Sequence, residues 1–344
     1  MAEDTENVGF DIDGMWVKKP EIIKQFLDQR SDYEKLCAEV AYILTRHLNN
    51  AQIEFSTITH RCKTLNSFLE KTQRKSYHDP IAEMTDFAGV RIICLYIDDL
   101  PRVEKVIAEH FEITEKIDKL TDKRTDEFGY GAIHFVVKLG KTSSGARYDD
   151  LKDLVCEIQI RTVLQDAWAI IDHHLVYKNE SNIPSFLRKK LNLLAGNFES
   201  ADEEFKRIRA EREAYLTDIE ESKITSEQFL ENELNLDSFV RYAQWKFPDL
   251  PSGIRVIDVP FFLNPLIENT LRKLSELDTI VNQGLELYQQ YLSEHGRDFL
   301  TSNAITSVVA ALFFVDEKYT PAEHIKNLFP KYNEFSKANK IGDT

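Results

Sequence analysis

The residues of this chain best suited to chemistry are basic and local. Arg61, Lys63, Lys71, Arg74 and Lys75 crowd into one short stretch, with Glu70 the only acid among them. Arg61 and Lys63 share a face of an extended segment, while Ser67, Lys71 and Arg74 are related by i+4 and i+3 on one helical face. Forked guanidinium and point-charge ammonium donors near a helix N-terminus suit a polyphosphate. The same charges would also serve as a solvated helix face.

Two carboxylates stand in similarly pointed surroundings. Asp86, in MTDFAGVRIICLYI, comes just ahead of an apolar run, with Gly89 allowing close approach of the backbone and Arg91 entering the run. Such an Asp can hold Mg²⁺ and such an Arg can lie against a base, or the two can form an ion pair at a strand end. In VCEIQIRT, period two puts Glu157, Gln159 and Arg161 on one face and Cys156, Ile158 and Ile160 on the other. The polar row suits either a nucleotide site, with Glu157 as metal ligand or base, or an ordinary half-exposed sheet. FGYGAIHFVVK holds Tyr130 between glycines, where its ring can present a stacking platform, and puts His134 and Lys138 on one face of the strand that follows.

Two apparent motifs carry nothing. Gly140-Lys141-Thr142 resembles the end of a phosphate-binding loop, but Phe135 stands where that loop needs its first glycine. His173 and His174 are adjacent and would point about 100° apart on a helix, a poor metal pair.

The elements that must position these residues are of mixed type. Helical spacing runs from Pro20 through Leu44, and strand patterns cover 52–59, 90–97, 133–139 and 154–160. Asn66 or Ser67 is placed to cap the helix that carries the basic cluster. Helical spacing returns over 163–178. Pro184 then opens a long, heavily charged helical arm. Residues 1–16 read as an acidic leader, 17–222 as an α+β domain ending in that arm, and 226–344 as a helical domain broken at Pro248/Pro251 and Pro260/Pro265. That last region has a regulatory, oligomerising or partner-binding role open to it.

At 344 residues with 42% hydrophobic and 29% charged residues, the chain has the composition of an ordinary globular protein. Its net charge of −15 disfavours non-specific binding to DNA or to an anionic membrane, so any phosphate site must be a local basic island. The four cysteines are too scattered for a zinc site or a disulfide framework and read as buried reduced thiols. The acidic N-terminus is unlike a signal peptide, and the longest apolar run, 304–315, is too short to span a bilayer. A cytoplasmic protein is expected.

In order and spacing, HRCKTLNSFLEKTQRK, TDFAGVRIICLYI, FGYGAIHFVVK, CEIQIRT and AWAIIDHHLVYK resemble the RelA/SpoT-type alarmone synthetases over about residues 20–215. The resemblance implies a nucleotidyltransferase-like mixed sheet flanked by helices. It implies pyrophosphate transfer from ATP to the 3′-hydroxyl of GDP or GTP, giving (p)ppGpp and AMP. Carried over, Arg61 and Arg91 correspond to the pair that sandwiches adenine. Lys63, Lys71 and Arg74 correspond to ATP-phosphate ligands, with Ser67 in the same motif. Asp86 corresponds to the Mg²⁺ ligand, and Glu157 to the second carboxylate at the metal and the acceptor hydroxyl. Tyr130 corresponds to the guanine-stacking residue, with His134, Gln159 and Lys123 or Arg124 on the acceptor side.

Gly131 and Ala132 replace a polar residue and a serine common in the family, which opens the acceptor to question. Relatives modify the 3′ end of tRNA or make adenosine alarmones, and a non-catalytic nucleotide sensor would be a third reading. No hydrolase domain is seen ahead of the synthetase region, so synthesis alone is expected. The family's small members also imply self-assembly through terminal helices.

Overall fold

Ile23, Phe26, Tyr33, Leu36, Cys37, Val40, Leu44 and Leu48 recur at helical spacing and are all buried, and they lie on one unbroken helix, α1 (Pro20–Asn50). The computed structural model describes residues 19–75, 77–118, 130–175, 184–223, 225–252, 258–298, 301–321 and 330–339. The chain forms two compact units, Met1–Arg209 and Ala210–Thr344.

The first unit is built on a five-stranded mixed sheet of β1 (Phe55–Cys62), β2 (Ala88–Cys94), β3 (Phe111–Asp118), β4 (Ile133–Leu139) and β5 (Cys156–Thr162). Their spatial order is β1-β2-β5-β4-β3. The pair β2–β5 is parallel and the other pairs are antiparallel. Strand alternation sorts the residues cleanly. Val90 and Ile92, Cys156, Ile158 and Ile160, and Phe135 and Val137 join α1 and α4 (Leu100–His110) in the core, each large side chain contributing roughly 1.5–3 kcal/mol. The opposite face carries Arg61, Gly89, Arg91, Glu157, Gln159 and His134. The expected α+β architecture, a mixed sheet flanked by helices, is therefore what the chain adopts.

Several boundaries differ from the sequence reading. The first strand starts and ends three residues later than expected, which brings Arg61 into it. β3 was not expected at all: among the described residues it pairs only with β4, at the sheet edge, and six of its eight residues are exposed, so no apolar period marks it. The helix α2 (Leu65–Arg74) is capped by Thr64, whose hydroxyl accepts from the backbone N–H of Ser67. Neither Asn66 nor Ser67 is the cap. The short α3 (Pro80–Glu83) precedes β2. The four cysteines are free, three buried and Cys62 half-buried. Burial pushes Cys37 up to about 11 and Cys94 up to about 12, which keeps these thiols protonated.

After β5 come α5 (Val163–Leu175) and the long α6 (Ser185–Ser222), within which the division between the units falls. Asp202 on α6 is buried and accepts from the Thr162 hydroxyl at 2.7 Å. Burial, helped by Glu203, pushes its carboxyl up to about 7. Its unfolded value is near 4, so folding favours the protonated form. The stability cost is absent below that pH, grows between about 4 and 7, and is complete above. Asp202→Asn is accordingly expected to raise stability at pH 8, by up to about 4 kcal/mol, and to change little at pH 4. Melting temperatures at the two pH values check this.

The second unit is helical: α7 (Ser226–Leu230), α8 (Leu236–Lys246), α9 (Val259–Glu268), α10 (Leu274–His295), α11 (Ala304–Val315) and α12 (Pro330–Asn339). Pro260 and Pro265, expected as a break, lie inside α9. The first has no intrahelical donor to lose at the helix start. Apolar nearly all round, α11 is buried from Ala304 through Phe314. α10 approaches it so closely that a Cβ at Gly284 would lie 2.0 Å from the Ala311 carbonyl oxygen. Among the described residues, no helix is long and apolar enough to cross a membrane.

Candidate active site

Register across four strands aligns the residues of this face in two rows. Arg61, Gly89, Glu157 and Val136 form one, and Thr59, Arg91, Gln159 and His134 the other. Thr59, Arg61, Gly89, Arg91, Glu157 and Gln159, with Asp86, line a cleft of about 210 Å³. Backbone ties fix its rim. The Cys37 thiol donates to the Arg61 carbonyl oxygen at 3.1 Å, and the Lys63 N–H donates to the Phe87 carbonyl oxygen at 2.8 Å. The second bond sets Lys63 beside Asp86.

Asp86 Oδ2 lies 2.7 Å from Lys63 Nζ and 2.9 Å from Lys71 Nζ. Burial alone would raise this carboxyl, but the two ammonium groups outweigh it and hold Asp86 below the usual carboxylate value. Its other oxygen, Oδ1, is buried without a hydrogen-bond partner. The ion pair entertained between Asp86 and Arg91 does not form. Arg91 Nη1 donates instead to Asp166 Oδ1 on α5 at 3.1 Å, and Arg161 makes a looser contact of 3.5 Å with the same oxygen. The Nε atoms of both arginines are buried and unpartnered, donors left over for a bound molecule.

Glu157 is held from two sides. His134 Nδ1 donates to Oε1 at 2.8 Å and Gln159 Nε2 donates to Oε2 at 2.9 Å, while Arg161 donates to Gln159 Oε1 at 3.3 Å. Burial and the charge of Asp86 push Glu157 up; His134 and Gln159 prevail and hold it below its usual value. Glu157 is therefore an oriented, ionised acceptor of protons or cations.

The other anticipated residues are placed differently. Ser67 lies exposed in the first turn of α2, with its hydroxyl accepting from Thr64 at 3.0 Å, and Arg74 is exposed at the end of that helix. Tyr130 is not brought to the cleft: it is buried against Trp168, Ala195 and Phe198, and its hydroxyl donates to the Phe198 carbonyl oxygen. Lys123 and Arg124 lie outside the described residues. Asp166, which sequence reasoning missed, is the carboxylate that aims two arginines. Its only signal is its place one turn after the polar strand.

Gly89 takes its meaning from the cleft rather than from the fold. A Cβ there would meet only ordinary contacts, none nearer than 3.8 Å, yet it would stand on the cleft floor between Arg61 and Glu157. Gly89→Ala is expected to fold with unchanged or slightly higher stability. It should lower kcat/KM about tenfold or more by displacing the reacting groups. Thermal melts beside steady-state kinetics test the pair of outcomes.

The sequence pattern described as a region found in RelA / SpoT proteins matches residues 60–182. GTP pyrophosphokinase YjbM of Bacillus subtilis (strain 168) is 34% identical over 185 residues, spanning 52% of this chain and 83% of that protein. GTP pyrophosphokinase YwaC of the same organism is 31% identical over 157 residues, 44% and 72% of the two chains. The crystal structure of small alarmone synthetase 1 from Bacillus subtilis bound to its product pppGpp is similar with a TM-score of 0.46 and 32% identity, covering 55% of this chain and 98% of that one.

Proposed function

The chain belongs to the RelA/SpoT family, and we propose that it transfers pyrophosphate from ATP to the 3′-hydroxyl of GTP or GDP in the cytoplasm, making (p)ppGpp and releasing AMP. One observation carries this reading. Asp86 and Glu157, distant in sequence, converge on one cleft among Arg61, Lys63, Lys71 and Arg91, in a chain that is otherwise strongly acidic.

In the reaction, the acceptor oxygen bonds to the β-phosphorus of ATP, the bond from that phosphorus to the α,β-bridging oxygen breaks, and the electron pair leaves with AMP. Phosphoryl-group transfer depends on positioning and charge neutralisation more than on covalent help. Glu157, oriented by His134 and Gln159, accepts the proton of the acceptor hydroxyl. Lys63, Lys71 and Arg74 neutralise the triphosphate, with Ser67 at the start of the same helix. Arg61 and Arg91 offer their planes to the adenine.

The donor set fits Mg²⁺. Asp86 has a buried oxygen with no protein partner, Glu157 lies across the cleft, and no group of three metal-ligating side chains exists among the described residues. Mg²⁺ is commonly held by one or two carboxylates together with substrate phosphates. When bound, the ion would neutralise charge on the phosphates as the AMP oxygen leaves.

On the acceptor side we place His134 and Gln159, with Lys123 or Arg124. Stacking of guanine on Tyr130 would require that ring to leave its present packing. Labelled ATP offered in parallel with GTP, GDP, ATP and deacylated tRNA identifies the acceptor: label in guanosine nucleotides supports the reading, and label in tRNA alone overturns it. The net charge of −15 weighs against tRNA. Ile170, Leu175, Phe186, Leu193 and Phe205 on α5 and α6 expose apolar surface suited to pairing of copies, which light scattering would reveal as a mass above that of one chain.

A further inference from the structure

A second cavity, of about 290 Å³, lies on the helix-covered side of the sheet and shares no residue with the cleft. Arg46 and His47 of α1, His110 at the end of α4, and Thr142 and Ser143 of the β4–β5 connection line it. The two imidazoles are stacked with centroids 3.5 Å apart. Among the described residues, none of these five side chains has a hydrogen bond or ion pair within the protein, although Ser143 is only 8% exposed. Donor side chains left without protein partners on a cavity wall are available to a ligand.

The site is built rather than incidental. A Cβ at Gly140 would lie 2.2 Å from the His110 carbonyl oxygen, so the end of β4 is pressed directly against the residue that carries one imidazole. At the rim, the Arg147 guanidinium lies over the rings of Tyr42 and Tyr148 and is anchored by Glu39 at 2.8 Å. That pairing commits Arg147 to Glu39 and leaves Arg46, on the cavity wall, without an ion-pair partner among the described residues. Burial, His110 and Arg46 together hold His47 below the usual imidazole value, against a smaller opposing pull from Glu109.

We propose that this cavity is a binding site for a phosphorylated small molecule, whose phosphate is held by Arg46, His47, His110, Thr142 and Ser143. Guanidinium, imidazole and hydroxyl groups converging on one cavity can all donate to the oxygens of a phosphate group, and the exposed ring of Tyr42 offers a face to any attached base.

The test follows the ring signals of His47 and His110 by NMR in the full chain as inorganic phosphate, pyrophosphate, AMP and GMP are added separately. Saturable shifts of both rings are expected. They should be weakened about tenfold or more by Arg46→Ala, and likewise by Ser143→Ala combined with Thr142→Val, because each removes donors to a charged group. They should persist in Arg61→Ala, which cripples only the cleft. Tighter binding of AMP or GMP than of inorganic phosphate would assign a nucleotide; equal binding would assign phosphate itself. Absence of saturation with all four probes overturns the proposal, as do shifts that survive Arg46→Ala or vanish in Arg61→Ala.

Discussion

Glu157→Gln is expected to lower kcat by about two to four orders of magnitude, the range supplied by a positioned general base, with no matching loss of thermal stability. The substitution is nearly isosteric. Its amide oxygen can accept from Gln159 and its amide nitrogen can donate to a neutral His134, so both neighbours keep a partner. What disappears is the ability to receive the proton of the acceptor hydroxyl. Nucleotide chromatography beside circular dichroism separates the two effects; a fully active Glu157→Gln would remove the base assigned here.

The pH profile provides a second reading of the same residue. Glu157 is held below its ordinary value chiefly because His134 and Gln159 overcome the effect of burial. A base with a depressed pKa stays ionised, and therefore active, down to lower pH. The acid limb of kcat accordingly falls below the ordinary carboxylate range. His134→Ala deletes the main stabiliser of the ionised form, so the limb should move to higher pH while the plateau near neutrality survives in part. An unmoved limb would mean that another group sets it.

How far the sequence alone led depends on what kind of signal each residue leaves. Glu157, Gln159 and Arg161 were legible as a row because period two is fixed by strand geometry, and their isolation from the core follows from Cys156, Ile158 and Ile160 alternating with them. The joining of Asp86 to Lys63 and Lys71 was legible only as three suggestive residue types. Their meeting depends on the antiparallel β1–β2 pairing and the Lys63 backbone bond to Phe87, neither of which is a local pattern. β3 left no mark because an exposed edge strand has no apolar period to show. Asp166 was invisible because a lone Asp on a helix resembles any solvated residue until the two arginines it receives come from other strands. Tyr130 was read as a platform on which a base could stack, and no local pattern revealed that Trp168 and Phe198 take up its ring instead.

Asp86→Ala should abolish turnover and, unlike Glu157→Gln, should also destabilise the fold. Loss of the carboxylate removes the group proposed for the metal, a contribution of several kcal/mol to charge neutralisation, hence about a thousandfold or more in kcat. It also strands Lys63 and Lys71, whose side chains are only 13% and 20% exposed, without the anion they share. Stranding them costs about 1–3 kcal/mol. The sign of the pH dependence follows from the depressed pKa of Asp86. Its stabilising contribution is present above the unfolded value near 4 and is lost as pH falls through the lower folded value. The stability gap between wild type and Asp86→Ala should therefore be open at pH 7 and close at strongly acidic pH. Replacing both lysines by Met in the Asp86→Ala background should recover much of the stability at pH 7, because a partly buried ion cluster can be exchanged for apolar side chains at little net cost. That triple variant should remain inactive, since neither the carboxylate nor the phosphate-neutralising ammonium groups return. Recovery of stability without recovery of turnover would separate the structural duty of Asp86 from its chemical one; recovery of turnover would exclude Asp86 from the chemistry.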